Sequence, residues 1–503
     1  MSPPPKRALL ALAAAPLLVA AGGSVTAPAE GITLLVRDQA TAHDASLVEA
    51  LVSHVMELGW DRESVVSMAS LEEKLGHHGL WSYKPWVFWL HRRQIREGSK
   101  RRLAYGQRWF VFLEPTTMVD VINLGALLHG YDAFSAVCLG RALRDEVSSI
   151  LHSYSQEPPY PLVHSGFAIS GGLLRRLAQD LLEHPLARGG LHHPQQIEPA
   201  FELAQWVSSL GVKLTDRGDV LCTRRTSPSC ATWIVPRREH RQSWGLTPQD
   251  IIIAVKTVAS LHSSRIQHIH RFWGSSSGVE VLYLSNEAFS GVPGARVVDL
   301  SPEFGDLVDP GKESTRQGSG HCSKMEAMLK YLARHHPGKR WYIVTDDDTL
   351  LNVPQLLEVL NSHDDSEAIY LGERYGWAHR EEAEGTNYVT TGGGVALSGP
   401  ALAKLQACED CTCHKPNAPD DMMLGTWFAG LGVPVVHEEG FHQAEPHNYH
   451  QDVLRFADPP VSFHRFAMQL PGSASEDEKT AARQQHWQAW VDKYFNAHWK
   501  EEL

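Results

Sequence analysis

Three consecutive aspartates, Asp346-Asp347-Asp348, follow the apolar run Trp341–Thr345. An Asp-x-Asp at the end of a buried strand holds two acidic groups at the rim of a sheet. Like charges that close repel unless a cation or a proton intervenes. Oxygen donors of this kind suit Mg2+ or Mn2+, whose remaining positions are commonly filled by substrate phosphates. Such an ion would draw charge off a departing diphosphate. Aspartate is also an ordinary turn former, so the cluster alone is equally compatible with a solvated turn.

Two further segments could share the chemistry. Gly392-Gly393-Gly394, after Tyr388–Thr391, lacks side chains and would let the backbone approach a sugar or diphosphate closely. It could equally be a plain turn, and it is neither a Walker nor a Rossmann fingerprint. Asp420-Asp421, within Ala418–Gly425, opens a stretch with helical character. An aspartate there can cap the helix, or one in the first turn can act as a general base if it faces a cleft. The 28 histidines are scattered and form no His-Glu-x-x-His pattern, which leaves a zinc protease unsupported. Cys408-x-x-Cys411-x-Cys413-His414 admits zinc or disulfides. Seven cysteines leave at least one thiol unpaired.

The elements that position these groups read as α/β. Short β-branched runs around Val36, Ile253 and Trp341–Thr345 suit buried strands, and Pro354–Leu360 and Pro400–Ala407 suit helices with proline in the first turn. Alternation of the two predicts a mostly parallel sheet with its site at the carboxyl ends of the strands. The chain also resembles itself. Arg108–Phe112 matches Arg340–Val344 at an offset of 232, Ala168, Ser170 and Gly171 match Ala396, Ser398 and Gly399 at 228, and Leu203 and Trp206 match Leu424 and Trp427 at 221. Upstream, Leu34–Arg37 lines up with Ile253–Lys256 at 219. Constant order with slow drift predicts a duplicated domain. Only the second copy keeps its acids: Glu114-Pro115-Thr116 stands where Asp346-Asp347-Asp348 would be, and Pro199-Ala200 where Asp420-Asp421 would be. The active site is therefore expected in the second copy alone.

Composition sets the outer bounds. A chain of 503 residues, 43% hydrophobic and 21% charged, is globular and long enough for two or three domains. A net charge of −12 argues against nucleic acid or an anionic membrane as the main partner. Lys6 and Arg7 precede the apolar run Ala8–Ala21 and the small residues Gly22-Gly23-Ser24, the pattern of a signal peptide at residues 1–24. That run is shorter than the roughly 20 residues a membrane span needs, so no transmembrane anchor is expected. Lys500-Glu501-Glu502-Leu503 is a variant of the tail read by the retrieval receptor of the endoplasmic reticulum (ER). The expected plan is residues 25–218 as an inactive domain, 219–249 as a linker, 250–499 as the catalytic domain and 500–503 as the retrieval signal in the ER lumen.

Taken in order, Trp341–Thr349, Leu371–Gly376, the glycine triplet, Pro419–Gly425, Phe441-His442-Gln443 and Ser462-Phe463-His464 resemble the fringe-like β-1,3-glycosyltransferases. The His321-Cys322-x-Lys324 segment and the Glu-Glu-Leu ending point to the branch that extends O-linked fucose on thrombospondin type 1 repeats. The resemblance implies two tandem GT-A-like domains and an inverting transfer of glucose from UDP-glucose, with Mn2+ or Mg2+ as cofactor. The implied partners are folded repeats carrying O-fucose. It implies Asp348 and His442 as metal ligands, with His464 as a second candidate for the histidine. Asp346, Asp347, Lys324, Glu373, Gly392, Gly393 and Gly394 would bind the nucleotide sugar, and Asp421 would be the catalytic base. The alternatives are another UDP-sugar as donor, or a non-catalytic ER lectin or quality-control binder on the same fold.

Overall fold

The computed structural model describes residues 31–39, 41–75, 82–98, 108–184, 197–235, 243–275, 278–308, 321–377, 386–456, 458–465 and 475–496. The expected signal peptide and the retrieval tail lie outside them. Among the described residues no helix is long and apolar enough to cross a membrane.

The α/β expectation holds, with two central sheets. The first contains β1 (Ile32–Val36), β2 (Val65–Ser67), β3 (Trp109–Leu113), β4 (Cys138–Gly140), β5 (Phe167–Ser170) and β6 (Leu214–Asp216), in the order β2-β1-β3-β5-β4-β6. The second contains β7 (Ile251–Lys256), β8 (Glu280–Ser285), β9 (Arg296–Asp299), β10 (Trp341–Asp346), β11 (Tyr370–Gly372), β12 (Val395–Ser398) and β13 (Val435–His437). Its order is β9-β8-β7-β10-β12-β11-β13, the same path with one extra edge strand. Pairing is parallel except on both sides of β5 and of β12, so each sheet is mixed, with a single reversed strand.

The second sheet is covered on both faces, which is why its strands read as unbroken apolar runs. Ile251, Ile253, Val255, Trp341 and Ile343 pack with Leu356, Val359, Trp487 and Trp490. The alternate residues Ile252, Ala254, Tyr342 and Val344 pack with Met325, Met328, Leu424 and Phe428 of the opposite layer. That layer contains α1 (His321–His335) and α2 (Asp420–Gly430). Alternation along a strand continues to the strand ends. It therefore carries Lys256 and Asp346 to the α2 side, and the two residues are register partners.

Disulfides, not zinc, account for the cysteine cluster. Cys408 pairs with Cys411, Cys413 with Cys322, and Cys222 with Cys230, while Cys138 is free and buried. The Cys322–Cys413 bridge ties the start of α1 to the loop that leads into α2, and the Cys322 N–H donates to the Pro416 carbonyl nearby. The stretch expected as a linker is ordered on both flanks. Thr232–Ile234 pairs with Thr117–Val119 of the first half, and the Trp244 and Leu246 N–H groups donate to the Asn361 side chain of the second.

Chain-entropy arguments rank the bridges by the loop each closes. Cys322–Cys413 has a sequence separation of 91 and Cys222–Cys230 one of 8. Replacing Cys322 and Cys413 with serine should lower the unfolding free energy by about 4.5 kcal/mol, and replacing Cys222 and Cys230 by about 2.5 kcal/mol. Urea unfolding of the two double variants checks both the size and the order.

Candidate active site

The site lies at the carboxyl ends of β7 and β10, the place where strand ends in α/β sheets commonly hold ligands. Lys256 ends β7, and its ammonium sits 2.9 Å from Asp346 and pairs with Asp420 at the first turn of α2. Burial opposes its charge, but the two carboxylates overcome that and raise its pKa. Asp420 and Asp346, far apart in sequence, are thus held on one cation.

The three aspartates of the cluster point in different directions. Asp347 is buried, accepts a hydrogen bond from Thr257 Oγ1 at 2.6 Å and pairs with Arg265. Burial pushes its pKa up to about 6 despite Arg265. Asp348 faces Arg265 at 3.2 Å and His464 Nε2 at 3.1 Å. Burial works against its ionisation, yet the hydrogen bond and charge of His464, with Arg265 and Lys256, hold its pKa below the usual range. His464 Nε2 is also 3.8 Å from Asp346. Asp346, Asp348 and His464 offer one ligand atom each, all within 4.8 Å of one another.

Two oxygen donors and an imidazole fit a divalent ion such as Mn2+ and leave positions open for phosphate oxygens. His464 is oriented for that role, because its Nδ1–H donates to the Gln443 carbonyl at 2.9 Å and so turns Nε2 toward the carboxylates. His442 is not brought there. Its Nδ1–H donates to the Ser462 carbonyl at 3.0 Å, its ring stacks on Phe463, and burial lowers its pKa to about 4. Strand pairing explains the exchange: Ser462–His464 runs antiparallel to Thr349–Leu351 with His464 opposite Thr349, one residue beyond Asp348.

The glycine triplet and Glu373 support this histidine. A Cβ on Gly392 would come within 2.6 Å of the His464 ring, and Gly394 takes a φ of +103°, so both positions require glycine. The Gly393 N–H donates to Gln443 Oε1 at 2.8 Å, and the Gln443 N–H in turn donates to Glu373. Glu373 also accepts from the Tyr449 hydroxyl at 2.9 Å, and burial raises its pKa to about 8. The triplet and Glu373, expected at the nucleotide sugar, make their close contacts with this protein scaffold. Lys324 on α1 donates to the Thr257 carbonyl, and burial with nearby Lys256 lowers its pKa to about 8.

Asp421 stands in the first turn of α2, after a Pro419 cap position that makes no side-chain hydrogen bond. Its Oδ1 accepts from the Met422 N–H at 2.8 Å. Burial, reinforced by Asp420, raises its pKa to about 7, whereas Asp420 itself pairs with Lys256. The α2 start thus carries one carboxylate committed to a cation and one able to take a proton near neutral pH.

Lys256, Arg265 and Thr257 were not expected from the sequence. Lys256 had a signal: Arg37 directly follows β1 at the matching place in the repeat, and it pairs with Glu114 at 2.7 Å beyond β3. The first half therefore keeps one cation and one acid where the second assembles a cluster.

A family model described as fringe-like matches residues 246–488. A β-1,3-glucosyltransferase from Homo sapiens is 30% identical over 448 residues, covering 87% of this chain and 82% of that protein. A β-1,3-glucosyltransferase from Mus musculus is 32% identical over 405 residues, covering 76% of each. A β-1,3-N-acetylglucosaminyltransferase lunatic fringe from Gallus gallus is 23% identical over 223 residues, covering 41% of this chain and 58% of that protein.

The two histidines give opposite expectations. Mn2+ affinity, followed by electron paramagnetic resonance on the purified chain, should fall roughly 10- to 100-fold or more in His464→Ala. It should stay near the parent value in folded His442→Gln.

Proposed function

The chain belongs to the β-1,3-glucosyltransferase family of fringe-like transferases and is a glycosyltransferase, and from that premise we propose that it moves glucose from UDP-glucose onto O-linked fucose of thrombospondin type 1 repeats, with inversion, in the ER lumen. The observation that carries the mechanism is the division of labour among the carboxylates. Asp346 and Asp348 converge with His464, Asp420 is spent on Lys256, and Asp421 keeps a pKa of about 7.

In this reading Asp346, Asp348 and His464 hold a divalent ion, which when bound supplies positive charge to the leaving diphosphate. Lys256 and Arg265 fix the carboxylates and keep their repulsion from opening the site. Asp421 accepts the proton of the attacking sugar hydroxyl at its free carboxylate oxygen. Among the described carboxylates of the cluster, Asp347 is buried under Arg265 and Asp420 is paired with Lys256, so neither is placed to form a covalent glycosyl intermediate. A single base aimed at the attacking hydroxyl suits direct in-line displacement, which inverts the anomeric carbon.

The GT-A description, internal duplication and an inactive first domain at residues 25–218 are parts of the same proposal, supported by the shared strand order and by Arg37–Glu114 standing in for the larger cluster. The ER address rests on the Lys500–Leu503 segment, and the disulfides suit an oxidising compartment. Incubating the purified chain with UDP-glucose, UDP-galactose, UDP-N-acetylglucosamine and an O-fucosylated repeat tests donor and acceptor together. Glucose transfer dependent on the fucose is expected, and preference for another donor would replace UDP-glucose in the proposal.

Asp421→Asn should cut turnover by roughly 10²- to 10⁴-fold while UDP and Mn2+ binding persist. It should not lower the melting temperature. Asp421 titrates near 3.8 when unperturbed and near 7 here, so between those values the folded chain binds more protons than the unfolded one. Stability contributed by this group then falls as pH rises through that window, and the amide removes the penalty. Calorimetry of parent and variant at pH 8 checks this.

The parent enzyme's rate should rise as pH passes through about 7, where Asp421 loses its proton. A pH profile of kcat/KM measures it, and a profile already flat from pH 5 upward would remove Asp421 as the base.

A further inference from the structure

A cavity of ≈ 120 Å³ opens between the two halves. By this measure one water takes about 10–15 Å³, so the space holds on the order of ten waters or a single sugar ring. Asp346, Asp348, Asp421 and His464 do not line it. Its first-half wall includes Arg37, directly after β1, and Glu198 and Pro199, at the start of the helix Pro199–Ser209. Those are the positions that Lys256 and the start of α2 occupy in the second half, so the cavity occupies the first half's counterpart of the candidate active site. The second half closes it with residues including Arg374, Glu439 and Tyr449.

Two buried imidazoles in the wall have nitrogen atoms without hydrogen-bond partners. His152 Nδ1 is held by Asp145, which leaves Nε2 unpartnered and 3.9 Å from Glu198, beyond hydrogen-bond reach. His164 Nε2 is held by Glu439 at 2.9 Å across the two halves, which leaves Nδ1 unpartnered. His152 and His164 are only 4% and 6% exposed, so the unpaired nitrogens carry a desolvation cost that a bound hydroxyl would relieve.

The charges of the wall balance. Arg37 is matched by Glu114, and Glu439 by His164, while Glu198 caps the Pro199 helix through the Ala200 and Phe201 N–H groups. Arg374 Nε–H donates to the Asn387 side-chain oxygen Oδ1 at 2.8 Å. Burial keeps Glu373 protonated up to about pH 8. Leu151, Leu162, Ile197 and Val453 supply apolar surface between these groups. A wall of apolar patches with a few placed polar groups and no net charge selects an uncharged, hydroxyl-rich ligand over a phosphate or nucleotide.

We propose that the cavity between the halves binds one neutral sugar unit, with His152 and His164 meeting its hydroxyls, at a site separate from the catalytic one. A first half that lacks the carboxylate cluster then serves the enzyme as a sugar reader. The test is saturation-transfer NMR on the full chain with methyl α-fucoside and methyl β-glucoside as probes, with UDP and Mn2+ saturating the catalytic site. Transfer to at least one glycoside should persist under UDP and Mn2+ and in Asp421→Asn. It should be lost in Val453→Trp, which fills the cavity from the second half, and in His152→Phe, which keeps the ring stacked on Phe201 but removes Nε2. Melting curves confirm that each variant is folded. No transfer to either glycoside, loss of transfer on adding UDP, undiminished transfer in both folded variants, or displacement by millimolar inorganic phosphate would each overturn the proposal.

Discussion

Five aspartates, Asp346, Asp347, Asp348, Asp420 and Asp421, meet at the ends of two adjacent strands and the start of one helix, and two cations keep them from driving one another apart. Lys256 spans Asp346 and Asp420, and Arg265 spans Asp347 and Asp348. Each ion pair joins different elements, so the electrostatic balance also sets the geometry: β7 to β10, β7 to α2, and the helical segment His262–Ile266 to the residues just after β10. The packed layers hold the backbone ends of this arrangement, and the Cys322–Cys413 bridge limits how far α2 can drift. Within this partition burial and Asp420 raise the Asp421 pKa to about 7, and burial raises that of Asp347 to about 6.

The first half shows the same frame with the tension removed. Arg37 and Glu114 form a single pair at the corresponding strand ends, and Pro199-Ala200 stands where α2 has Asp420-Asp421, with Glu198 as the cap of that helix. Glu198 is held by the Ala200 and Phe201 N–H groups, and a cavity separates this end of the first half from the second half. Interfacial contacts include the His437 N–H to Gln39 Oε1 at 2.7 Å and Ser149 Oγ to the Asn448 carbonyl at 2.7 Å. Those contacts run close to Glu373 and His442, so the half without the cluster packs behind the scaffold that orients His464.

Much of this was legible in the sequence because period and spacing are local. The apolar runs at Ile251–Val255 and Trp341–Thr345 gave buried strands, and the repeat offsets matched residues that fall on strands in the same order in both sheets. The acids of the cluster were visible for the same reason. Less legible were groups whose role depends on long-range approach. Lys256 and Arg265 are single charges with no local pattern, and only the pairing of β7 with β10 brings them to the aspartates. Which histidine stands beside Asp346 and Asp348 follows from the register of Ser462–His464 against Thr349–Leu351, which no residue type encodes. Gly392 and Gly394 were recognised as sites of close approach, and within the chain the groups nearest Gly392 are His464 and Gln443.

The central claim is that one carboxylate acts as base while the others are committed to cations, so the sugar is transferred in one displacement. The anomeric configuration of the product reads this directly. Proton NMR of the disaccharide formed from UDP-glucose and an O-fucosylated repeat should show a newly made glycosidic bond in the β configuration, with the large diaxial coupling of its anomeric proton. An α-linked product would mean retention, which requires a nucleophile or front-face path that this division of charges does not provide, and would contradict the account.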